Sequence, residues 1–302
     1  MDSTRFPSRV ASERGILPEG IVWDAATQRL SWVDIELGRL HVAAMIDGAV
    51  RLLSVFELGD QLGCALPASG GGWVCGLGRS LATVDLAGDV QRTRPLLNES
   101  ERFNDGHVDA SGRLVIGTLN SDGPDGRQLL LRLEHDGDVT VISDTVGISN
   151  GLAWSPDGAW LYHADTAARV VTRRAYGDRI GAAETLIDVG GMPDGIAVDA
   201  AGDVWVTVFD AGRVDCYDAT GRLRPERSIV IPDAHIASVG FAGPDLDVLL
   251  VATGMPIMPQ WLRRRRGSDG WLFALPASAR GLQSHAWTRG PLPGSLPGRM
   301  AG

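Results

Sequence analysis

Four phrases in this chain open with an oxygen-bearing side chain and a glycine: Glu19-Gly20, Asp105-Gly106, Asn150-Gly151 and Asp194-Gly195. Carboxylates and an amide brought to one point are the ligands of a hard divalent cation: calcium, magnesium or manganese, with zinc and iron(II) also admissible. Asp-Gly and Asn-Gly are equally ordinary turn formers. Only a shared register within a repeat distinguishes a cation site from four unrelated turns. A second chemistry overlaps the third phrase. Gly147 to Gly151 reads GISNG, the G-x-S-x-G pattern that can carry a serine nucleophile. That elbow needs a helix after the serine, whereas LAWSPDGAWLYH, from Leu152 to His163, reads strand–turn–strand. Ser149 is therefore set aside, and Asn150 beside it becomes the residue of interest. Of the six histidines, none shows a close metal-ligand spacing; His107 and His235 are expected nearest the channel or core, with His235 the better substrate contact.

The elements that would position these residues repeat. EGIVWDAATQRLSWVDI from Glu19, DGHVDASGRLVIGTL from Asp105, NGLAWSPDGAWLYHAD from Asn150 and DGIAVDAAGDVWVTVF from Asp194 share one plan. Each has a polar residue, a glycine, a short apolar strand, a turn and a second alternating strand. Weaker copies begin at Leu62 and Ala237, and each copy is followed by a third strand, a tight glycine turn and a fourth strand. Six units of about 45–50 residues predict an all-β fold, a six-bladed β-propeller with four antiparallel strands per blade. A β-sandwich would give no reason for six phased copies. One domain over 1–302 is expected, with the chain before Glu19 closing the last blade and residues 289–302 (RGPLPGSLPGRMAG) forming a loose tail. In a propeller the innermost strands line the channel, and the aligned first position reads Glu19, Leu62, Asp105, Asn150, Asp194 and Ala237.

The bulk properties narrow the partners. A net charge of −9 disfavours a nucleic-acid binder and suits one that holds cations or small molecules. The four arginines Arg263–Arg266 then read as a solvated loop of the sixth blade, or as a cover over an anionic substrate. The N-terminal MDSTRFPSRVASERG lacks the apolar core of a signal peptide, and no run of 18 apolar residues exists. A cytoplasmic protein that contacts no membrane is expected. Cys64, Cys75 and Cys216 lack C-x-x-C spacing and read as reduced core residues.

The phrases LPEGIVWDAATQRLSWVDI, RFNDGHVDASGRLVIGT, NGLAWSPDGAWLYHADT and PDGIAVDAAGDVWVT resemble the gluconolactonase/regucalcin family from about Leu17 to Leu275. The resemblance implies a six-bladed propeller with one divalent cation at the top of the channel. It places the metal ligands on Glu19, Asn150 and Asp194, in agreement with the axial column. It places substrate contacts on Arg102 and Asn104 of R-x-N-D-G and, more weakly, on Asp122, where LNSDGPDGR departs from the family. Two further departures, Ala237 where a hydroxyl is usual and the stretch GMPIMPQWLRRRRGSDG, fall near the expected substrate mouth.

The implied reaction is hydrolysis of a sugar lactone to the aldonic acid, with a small-molecule lactone as partner and the cation as cofactor. Asp194 is the candidate general base, with a ligand-only role as the alternative. Arg102 would bind lactone oxygens or else pair with Glu99 or Glu101. Asp105 would contact substrate or a second ion, or else orient Asn104 or close a turn. Alternatives on the same scaffold are another lactone, an ester or an organophosphate as substrate, or a non-catalytic calcium- or sugar-binding propeller.

Overall fold

The computed structural model describes residues 8–9, 14–46, 48–255 and 270–297. Among them the strands form six four-stranded antiparallel sheets, the six blades, and there is no helix. The inner strands are Pro18–Asp24, Leu62–Pro67, Glu101–Val108, Ser149–Trp154, Pro193–Val198 and Ile236–Ala242. Five blades use four consecutive strands. The sixth is completed from the other end of the chain, Ser8–Arg9 pairing with Phe273 and Ala274. This is the predicted closure, and it removes an open edge from the ring. Arg263–Arg266, expected in a loop of the sixth blade or over a substrate, lie outside the described residues.

Burial explains the strand composition. A blade's inner strands are covered on both faces by neighbouring blades, so they read as continuous apolar runs rather than an alternation. Every residue of Leu62–Pro67, Trp73–Leu77 and Val204–Val208 is buried. Outermost strands such as Val90–Arg92 are exposed. The core is laminated between blades: Phe103, Ile116 and Leu131 pack with Cys64 and Val74, and Trp205 packs with Phe241 and Phe273. The three cysteines are buried and free, as expected.

Four inner strands carry a bulge in which two residues face one on the second strand. Gly20-Ile21 opposes Trp32, Asn104-Asp105 opposes Gly117, Asn150-Gly151 opposes Ala164, and Asp194-Gly195 opposes Thr207. A bulge interrupts the pleat and re-aims the side chains within it. It also corrects the expected column by one residue. In the third blade Asn104, not Asp105, is the counterpart of Asn150 and Asp194, and Asp105 occupies the position of Gly151 and Gly195; in the first blade Gly20 takes the place of Asn104, and Glu19 stands one residue earlier, paired with Val33.

The chain after the sixth blade is bonded back to the ring. Past the sixth blade it crosses the far end of the channel, where Ala200 N donates to Arg280 O, Trp287 N to Pro67 O and Thr288 N to Gly112 O. Trp287 and Leu296 are buried, and Leu292 packs against them. Through Leu296 this segment is a strap, whose few large apolar side chains fill gaps between blades two and three.

Candidate functional site

The side chains at the channel's near end come from four blades. Glu19 stands on the first, Arg102, Asn104 and Asp105 on the third, Asn150 on the fourth and Asp194 on the fifth. Glu19, Arg102, Asn104, Asn150 and Asp194 are buried. Burial, then repulsion by Asp194 and Asp105, raises the Glu19 carboxyl well above its ordinary range. Burial and the charge of Asp105 do the same to Asp194, opposed by Arg102. Burial lifts Asp105 to about 6. Among the described residues three carboxyl groups face one guanidinium in a desolvated pocket, so their charged forms are disfavoured unless a cation joins them.

One hydrogen-bonded chain connects the third, fourth and fifth blades. Arg102 Nη1 donates to Phe103 O at 3.0 Å and to Asn104 Oδ1 at 2.6 Å. Asn104 Nδ2 donates to Ser149 O at 2.7 Å and to Asn150 Oδ1 at 2.6 Å. Asn150 Nδ2 donates to Thr166 Oγ1 at 2.8 Å, and the Thr166 hydroxyl donates to Pro193 O at 2.6 Å. Thr166 stands just past the second strand of the fourth blade, Trp160–Asp165; it closes the phrase NGLAWSPDGAWLYHADT, but neither the repeat nor the resemblance gave it a role.

A divalent cation fits this donor set. Two buried carboxylates and an amide oxygen are hard ligands, and their surplus charge matches that of the ion. Among the described residues no three His, Cys, Asp or Glu side chains close on one point. A three-ligand protein site here therefore needs the amide of Asn150 alongside Glu19 and Asp194.

The other candidates fall elsewhere. Asp122 is exposed and accepts from the Ser100 hydroxyl, outside the chain that links Arg102 to Asn150. Ser149 is fully buried and shares a 2.8 Å hydrogen bond with His163 Nε2. Gly117 of the adjacent blade lies so close that a Cβ there would strike the Ser149 oxygen. A serine–histidine pair thus exists, but it is sealed between blades with no room for a substrate. His235 packs its ring on Phe209, 5.3 Å between centroids. His107 faces the opposite end of the channel, where it lines a cavity of about 350 Å³ with Trp154, Phe241 and His285.

Residues 17–255 match the model of the SMP-30/Gluconolactonase/LRE-like region. The chain is 37% identical over 256 residues to pentonolactonase XacC of Haloferax volcanii, covering 82% of this chain and 84% of the relative. It is 36% identical over 253 residues to 6-deoxy-6-sulfogluconolactonase of Pseudomonas putida, covering 81% and 85%. Among solved structures, the calcium-binding protein regucalcin from Agrobacterium tumefaciens superposes with a TM-score of 0.83 at 26% identity, over 94% of this chain and 98% of that one. A luciferin-regenerating enzyme, at 24% identity and the same TM-score over 94% and 100%, shows the shared fold.

Proposed function

The chain belongs to the SMP-30/gluconolactonase/LRE-like family, and on that premise we propose that it hydrolyses a sugar lactone using a divalent cation held by Glu19, Asn150 and Asp194. The names of the relatives, pentonolactonase and 6-deoxy-6-sulfogluconolactonase, support the reaction class. The observation that carries the cation is the surplus of carboxyl groups at the channel mouth, where among the described residues Glu19, Asp105 and Asp194 face Arg102.

Lactone hydrolysis needs an activated water and a stabilised oxyanion. When bound, a divalent cation supplies Lewis acidity at the ester carbonyl and a more acidic water. Asp194 is the general base in this reading. A carboxylate held beside the cation is placed to take a proton from water as the oxygen adds to the ester carbon. The proton returns to the ring oxygen as the C–O bond breaks, giving the hydroxy acid. Arg102, held by its bonds to Phe103 O and Asn104 Oδ1, lends positive charge to the lactone oxygens. Asn104 already commits both amide hydrogens, so it meets substrate as an acceptor through the remaining Oδ1 lone pair. Asp122 is left out of the assignment, being exposed and engaged with Ser100.

Acid release from a panel of aldonolactones, followed with a pH indicator, tests the reading. Chelation and, separately, Asp194→Ala are each expected to reduce the rate at least about 100-fold, the scale of a lost general base. Full activity after exhaustive chelation removes the cation from the mechanism while leaving the lactonase. The similarity to proteins named regucalcin favours a second reading, a cation-binding propeller without catalysis. Tight cation binding with no hydrolysis of any lactone would establish that alternative.

A further inference from the structure

Resting on the cation site proposed above, we infer that Thr166 is a positioning residue that fixes which atom of the Asn150 amide faces the channel and ties it to the strand carrying Asp194. Donors and acceptors along the chain from Arg102 to Pro193 admit one assignment. Its two ends are unambiguous. The Arg102 guanidinium can only donate, and the Pro193 carbonyl can only accept. With its proton given to Pro193 O, the Thr166 oxygen can only accept from Asn150. The Asn150 nitrogen therefore points to Thr166, and its Oδ1 is left on the side of Asn104 and the channel. Turned over, the amide would present N–H groups to the cation and set its oxygen against a hydroxyl with no proton to give.

The same hydroxyl couples two blades. Thr166 and Asn150 belong to the fourth, whereas Pro193 belongs to the fifth and immediately precedes Asp194. Thr166 thus sets the separation between an amide ligand and a carboxylate ligand that share no strand. Outer partners of this kind change metal affinity by about 10–100-fold when removed. Thr166→Ser retains the hydroxyl. Thr166→Val keeps the volume without it, and Thr166→Ala opens a small space, so a packing fault in one apolar variant does not conceal the result of the other.

Each variant is stripped of metal, checked for cooperative thermal unfolding in chelator and titrated with Mn²⁺ by calorimetry. The expected result is near-parental affinity for Thr166→Ser and about 10–100-fold weaker binding for Thr166→Val and Thr166→Ala. Lactone turnover should recover largely at saturating Mn²⁺, because the reacting groups are untouched. Parental Mn²⁺ affinity in either folded apolar variant overturns the role. A parent that binds no Mn²⁺ defeats the cation site itself, a separate outcome that takes the Thr166 role with it. If neither apolar variant folds, proton exchange in the unaltered protein decides: the Asn150 side-chain amide, assigned by its loss in Asn150→Asp, should exchange slowly. Exchange as fast as that of surface amides would reject the Thr166 bond.

Discussion

An uncharged ligand between two carboxylates has one hazard, that its amide can turn over, and an uncompensated buried histidine has another, that acid can charge it. The fourth blade meets both within one strand, with Asn150 tied to Thr166 and Ser149 to His163. Burial holds His163 at about 4, against an ordinary value near 6.5. A histidine whose folded value is depressed contributes stability that is complete above the unfolded value and lost as pH falls toward the folded one. Between pH 6.5 and 4 the unfolded chain accepts a proton that folded His163 refuses. At about 1.4 kcal/mol per unit, acidification across that window should cost the parent up to about 3 kcal/mol more than His163→Gln, read from urea melts at stepped pH. His41 and His107, also lowered to about 4, act in both proteins and cancel in the difference. Equal pH slopes would show that His163 is charged in the fold. At this scale Glu19, Asn150 and Asp194 were legible, because each opens a repeated phrase. Thr166 was not, since a hydrogen-bond partner on the next strand leaves no periodic trace.

The bulge is the element that turns three ordinary strands into a site. A regular strand would send successive side chains to opposite faces, into the lamination between blades. The extra residue instead releases Asn104, Asn150 and Asp194 toward the channel. The following glycine has a different task. A Cβ on Gly151 would stand 2.5 Å from Ile196 N, and one on Gly195 2.9 Å from Ser238 Cα. These glycines let the inner strands of blades four, five and six converge on the axis. Gly151→Ala must push the fifth inner strand outward. It should lower stability by about 1–3 kcal/mol and weaken cation binding, because the displaced strand carries Asp194. Unfolding midpoints and Mn²⁺ titration together test this, and a loss of stability with unchanged affinity would detach the glycine from the site. The repeat made the strands and turns readable, but the Asp-Gly pair in the third blade suggested a register one residue late. Counting back from the last paired residues Val108, Trp154 and Val198 gives Asn104, Asn150 and Asp194 instead.

A ring transmits strain differently from a layered fold, since every blade touches two neighbours and opening one interface loosens all six. Two devices oppose that opening. The strand Ser8–Arg9 completes the sixth blade, and Ile21 N donates to Ser238 Oγ at 3.3 Å across the seam between blades one and six. The strap adds a brace at the far end, joining blades five, two and three through Arg280, Trp287 and Thr288. A few buried side chains suffice to dock a segment whose backbone is bonded along the way. Trp287 is the principal anchor, buried among Ala68, Leu96 and Leu133. Truncating a buried tryptophan costs about 3–5 kcal/mol, so Trp287→Ala should lower the unfolding free energy by that order. The strap crosses the turns that follow the inner strands, whereas Glu19, Asn150 and Asp194 stand where those strands begin. The variant should therefore keep parental KM for lactone and parental Mn²⁺ affinity at temperatures well below its melt. If affinity falls in step with stability, the brace sets the spacing of the ligands through the whole ring, and the two ends of the channel are mechanically one.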